Sequence, residues 1–174
     1  RFQLPSSIEE NIQFLCVEVN TELSHLQSYL GQPTAAQAQR ILDRSGYPYN
    51  LKVRIHSGCL NSLAGKGRTE TDKLALQSLV FIATDLERIT ELGCDCIRQL
   101  AYVDDMKILE PDAWVLMLSN IQDGVSQIAP ALSKSDTHLA LEIGQFEARI
   151  EKAYQKCFMA YAADLKKGKH TDTL

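Results

Sequence analysis

Three carboxylates, Glu87, Glu91 and Asp95, stand four residues apart in the middle of the chain. On an α-helix this spacing places them about 100°, 140° and 180° round from Leu86, as a cluster turned away from the apolar side. Like charges stacked one turn apart repel by a few tenths of a kcal/mol per pair, and a hard cation would convert that cost into oxygen coordination. A solvated face is the competing reading, because Arg88 precedes Glu91 by three residues and Arg98 follows Asp95 by three, the spacing of neutralising pairs. Glu87, Glu91 and Asp95 are therefore the candidate ligands for a divalent or trivalent metal ion.

Other chemistry finds less support. His25, His56, His138 and His170 fall in four separate segments and read as surface or half-buried residues, not as the paired ligands of a di-iron bundle. A phosphotransfer bundle needs one exposed, tuned histidine, and His56, beside Arg54 and Ser57, is the candidate for that role. Gly65-Lys66-Gly67 lacks the preceding strand and the spacing of a phosphate-binding loop. No serine, threonine or cysteine has a recognisable base partner, so the chain reads as a binding or regulatory module and not as an enzyme. Tyr47, Tyr49 and Tyr102 near helix breaks read as packing residues with wet hydroxyls.

The elements that must carry these residues are helical throughout, with five segments of period 3.6 and no alternation long enough for a strand. Pro5, Ser6 and Ser7 followed by Glu9 and Glu10 have capping-box chemistry, and Ile8, Ile12, Leu15, Val19, Leu23, Leu26 and Leu30 form one seam up to Gly31. A second helix from Thr34 to Leu63 carries Ile41, Ile55 and Cys59 and is expected to kink at Pro48, which lacks a backbone donor. The third, from Thr69 to Val103, has the seam Leu79, Ile82, Leu86, Ile89, Gly93, Cys96 and Leu100. Pro111 opens a fourth with Trp114, Leu118, Ile121, Val125, Ile128 and Leu132, and Ser135 or Asp136 caps a fifth with Leu139, Ile143, Phe146, Ile150, Ala153, Cys157 and Ala160. Short connections predict antiparallel neighbours in an all-α bundle. The turn-bearing stretches Leu30 to Ile41 and Leu132 to Ile143 also form a weak internal repeat.

Composition narrows the setting. With 174 residues, 45% apolar and 23% charged, the chain can bury one substantial core. A net charge of −4 with scattered lysines and arginines argues against nucleic acid as a partner. No apolar run approaches the roughly 20 residues of a membrane span, so direct membrane insertion is not expected. Cys16, Cys59, Cys94, Cys96 and Cys157, odd in number and set in apolar patterns, read as reduced core residues of a cytoplasmic protein. Cys94 and Cys96 point about 200° apart on a helix and cannot chelate one metal together. The chain begins without Met and runs past Gly168 into a polar segment, as a piece of a longer protein would.

Asp85-Leu86-Glu87-Arg88-Ile89-Thr90-Glu91, with Asp95 four residues on, resembles the signature helix of the PhoU family of phosphate-signalling proteins, Asp-Leu-Glu-Arg-Ile-Gly-Asp followed by Asn. In that resemblance Glu87 stands for the motif's glutamate, Glu91 for its aspartate, and Asp95 for its asparagine, while Thr90 replaces its glycine. The family fold is a tandem of three-helix bundles whose motifs can hold metal ions at the surface. The resemblance implies a three-helix repeat over residues 1–104 and a second, incomplete two-helix repeat over 105–174. It implies a regulatory domain in phosphate sensing or transport control that contacts a phosphate transporter or sensor kinase. The alternatives are the cytoplasmic domain of a sodium/phosphate cotransporter and a histidine phosphotransfer or other signalling bundle. Without a sixth helix, the fourth and fifth are expected either to pair in a homodimer or to fold back on the first three.

Overall fold

A computed structural model describes residues 4–103, 106 and 111–168. The boundary expected between 104 and 105 lies outside the described residues, as does His170. Among the described residues six α-helices follow one another: α1 (Ser6–Gly31), α2 (Ala35–Arg44), α3 (Gly46–Leu63), α4 (Glu70–Leu100), α5 (Pro111–Lys134) and α6 (Thr137–Lys166). No strand occurs among the described residues. None of the described helices is long and apolar enough to cross a membrane.

Helix α1 is the hub, packed against α2, α3, α4 and α5. Every residue of its expected seam, from Ile8 to Leu30, is buried, and so are Cys16, Glu18, Glu22 and Tyr29 on its flanks. A helix covered on several sides must bury more than one stripe, which is how two carboxylates come to lie inside. The expected capping box at its start does not form. Pro5 takes the N-cap position and offers only its carbonyl, to the backbone N–H groups of Ile8 and Glu9. The capping box lies instead at α4, where Thr69 and Asp72 satisfy each other's backbone N–H groups.

The expected kink in the second helix is a break into α2 and α3 at Ser45. Pro48 accounts for its position: its ring crowds the carbonyl four residues back and gives it no donor, and that residue is Arg44, the last of α2. The Pro48 ring is itself buried, so Pro48→Ala trades lost packing for a regained helical bond and should shift stability by no more than about 1 kcal/mol. Leu86→Ala, which empties a fully enclosed core position, should cost about 2–5 kcal/mol. Urea denaturation of the two variants checks this, and equal large losses would mean that the break itself is required.

Helix α4 lies against α1, α2 and α3, and its buried face is turned from the expected seam. Leu76, Leu79, Ala83, Leu86, Glu87, Thr90, Gly93, Cys94 and Ile97 are buried, while Ile82, Ile89 and Leu100 pack at its margin and Cys96 is exposed. The α3–α4 turn closes at Gly67, whose φ of 81° suits a residue without a Cβ.

Helix α5 returns along α1 and joins the common core through Leu118 and Val125. Its contact with α1 is also a polar ladder. The Asn20 amide donates to Ser126 Oγ at 2.8 Å, Gln27 to Ser119 Oγ at 3.1 Å, and Gln122 to Ser24 Oγ at 2.8 Å. The fourth seam thus folds back on the first helix. Helix α6, capped by Asp136, packs chiefly on α5.

Candidate functional site

The three carboxylates of the acidic face are not brought together. Glu87 is buried, a correction to its expected outward position, and its Oε2 pairs with Lys52 Nζ of α3 at 2.7 Å. With α4 wedged between α1 and α3, the position next to Leu86 faces α3 and not water. Lys52 also sits over the Tyr49 ring at 4.7 Å, and Thr90 Oγ1 donates to the Glu87 carbonyl at 2.6 Å. Glu91 and Asp95 are exposed, and Asp95 accepts from Arg98 Nη1 at 2.6 Å. A cation held by all three would require Lys52 to release Glu87 and Arg98 to release Asp95. Among the described residues no group of three or more His, Cys, Asp or Glu side chains is placed to hold a metal ion.

A second acidic pair lies where α1, α2 and α4 meet. Glu18 accepts from Arg44 Nε at 2.9 Å. Glu22, one turn on and 2% exposed, receives only the Cys94 thiol on Oε1 at 3.9 Å, and its Oε2 has no partner. Burial pushes the Glu22 carboxyl up to about 7; Glu18 adds to the rise, and Arg44 and the thiol oppose it. The same surroundings raise the Cys94 thiol to about 11, chiefly through burial and then Glu22. Burial, Arg40 and Arg44 lower His25, whose buried Nδ1 is also unpartnered. Sequence reasoning missed this cluster, although Glu22-Leu-Ser-His25 has the Glu-x-x-His spacing of a ligand pair. The guanidinium groups of Arg40 and Arg44 make it a poor cation site.

His56 is half-buried between α3 and α4. Its Nε2 donates to the Val80 carbonyl at 3.1 Å and lies 3.2 Å from Thr84 Oγ1, contacts that fix the ring as a helix–helix link. Four cysteines are buried as expected, whereas Cys96 is exposed, and none is in a disulfide. Tyr47, Tyr49 and Tyr102 are more exposed than the packing role expected of them.

An open, largely apolar groove runs along α5 and α6. Trp114, Ile121 and Ile128 of α5 and Phe146, Ile150 and Tyr154 of α6 line it, with Glu147 and Glu151 along one edge. It exists because α6 has one principal neighbour. Of its seven seam residues only Cys157 is buried, and the other six are half-exposed. The Tyr154 and Phe158 rings, 55% and 58% exposed, stack at 6.3 Å and continue the apolar strip. The seam was legible at its period of 3.6, and so was its want of a covering helix; that α5 and not α6 would fold back onto α1 was not.

Comparison of the chain with protein-family models, with curated proteins and with solved structures finds no match.

Proposed function

We propose that this chain is a PhoU-like regulatory domain in phosphate sensing or transport control, acting by protein–protein contact and not by catalysis. The observation that carries the contact reading is the half-open seam of α6, because an apolar strip of this length beside ordered helices serves recognition more readily than chemistry. The phosphate assignment rests on the Leu86-Glu87-Arg88-Ile89 core and its flanking acids. A metal ion at Glu87, Glu91 and Asp95 belongs to the same proposal and depends on opening the Lys52 and Arg98 pairs. The sodium/phosphate cotransporter alternative shares this contact mechanism. The phosphotransfer alternative is less favoured, since His56 spends its Nε2 on Val80.

Co-purification with a phosphate transporter or sensor kinase is the test. Tyr154→Glu with Phe158→Glu changes two exposed rings, so helicity should be unchanged and partner recovery should fall at least about tenfold, a loss of some 1.4 kcal/mol. Undiminished recovery would remove the α6 surface from the function.

A further inference from the structure

The α5–α6 groove has a shape and a charge that select an occupant. Its α6 wall runs from Ile143 to Tyr154, about 17 Å or three helical turns at 1.5 Å per residue. Two neighbouring helices offer ridges into which a third packs at 8–10 Å. The apolar floor formed by Ile121, Ile128, Phe146 and Ile150 fits the i, i+3, i+4, i+7 anchors of an amphipathic helix.

Glu147 and Glu151 stand one turn apart on the groove's edge, an arrangement that is unfavourable on an isolated helix. Neither is in an ion pair among the described residues, and Glu151 accepts from the neutral Gln155 amide at 3.2 Å. The cations of α6 do not reach this edge. Arg149 lies over the Phe146 ring at 4.9 Å, and Lys152 and Lys156 lie about 100° and 140° round the helix from Glu151. A second copy docked antiparallel, about a twofold axis that crosses the groove, would bring this acidic edge against its own copy.

Resting on the protein-contact reading above, we propose that the α5–α6 groove receives a partner's amphipathic α-helix whose apolar stripe is flanked by lysine or arginine, paired with Glu147 and Glu151. Apolar anchors supply the affinity, and the acidic edge sets orientation and rejects acidic helices.

Trp114, the one tryptophan of the chain, lines the groove and reports its occupancy. Two synthetic helical peptides with the same leucine stripe, one flanked by lysine and one by glutamate, are titrated against the full chain while Trp114 emission is followed. The lysine peptide should bind at least tenfold more tightly, with the gap narrowing as salt is added. Glu147→Lys with Glu151→Lys should reverse the preference. Glu10→Lys with Asp43→Lys, an equal change of net charge on exposed residues of α1 and α2, should leave it in place. Equal binding of both peptides, binding of neither, or a preference that follows net charge in the control overturns the proposal. So does a concentration-dependent dimer that occludes Trp114, which would make a second copy the occupant. If the peptides fail while Tyr154→Glu with Phe158→Glu still loses its partner, the contact reading stands and only the basic-helix assignment falls.

Discussion

Replacing Lys52 by alanine is expected to destabilise the protein by about 3 kcal/mol, although Lys52 lies outside every hydrophobic seam. Among the described residues the Lys52 ammonium is the one cation paired with Glu87, whose side chain is 4% exposed against 16% for its partner. Removing it leaves a carboxylate enclosed by α3 and α4 with no opposite charge and little water. Such a group must stay ionised at a large desolvation cost, take up a proton, or pull its helix open. For a domain of this size the loss corresponds to a fall in Tm of roughly 6–12 °C. Lys52→Met combined with Glu87→Leu should recover most of it, because an apolar pair of similar volume carries no desolvation penalty. Urea denaturation of Lys52→Met, of Glu87→Leu and of the double variant gives the coupling directly. A loss below about 1 kcal/mol for Lys52→Ala would mean that water reaches Glu87 as it does an exposed pair.

Glu87 also shows where a sequence stops being legible. Its period-3.6 pattern placed α4 and the buried Leu86 correctly, but the side on which position 87 falls depends on how many neighbours the helix has. With α1 and α3 both against α4, the buried arc widens to include Glu87, Thr90 and Cys94 and excludes Cys96. The same effect hides Glu18 and Glu22, which lie beside a perfect apolar seam on α1 and are buried because α1 is the hub. Local signals fared better where one residue decides the outcome. Pro48 divides the second helix at the carbonyl that it cannot serve, Thr34 and Asp136 cap α2 and α6, and Gly67 closes a turn. The groove on α6 was half-legible: the apolar residues were evident, but their half-exposure follows from α5 being the main neighbour of α6.

Stability should fall as pH rises from about 4.5 to about 7 through Glu22 alone. The carboxyl has an ordinary value of 4.5 in an open chain and is raised to about 7 in the fold, chiefly by burial. Below the lower value both states hold the proton, and the group favours neither. Between the two values the unfolded chain has released its proton while the folded chain retains it, so each pH unit costs up to about 1.4 kcal/mol. Above about 7 both states are ionised and the penalty is constant, at about 3 kcal/mol in total. Other groups work differently. His25, held below its usual value, destabilises the fold as pH falls through the histidine range, and Asp72, lowered by its capping bonds, loses its contribution only in more acidic solution. The measurement is therefore a difference between the parent and Glu22→Gln at each pH. Glutamine keeps the shape and removes the charge, so the variant should match the parent near pH 4.5 and exceed it by up to about 3 kcal/mol at pH 8. Amide exchange in α2 should slow in the same variant at pH 8, because Arg44 of α2, which pairs with Glu18 and also faces the charge on Glu22, then answers to Glu18 alone. A parent and variant that keep the same stability difference from pH 4.5 to pH 8 would show that Glu22 reaches water and titrates as an ordinary glutamate.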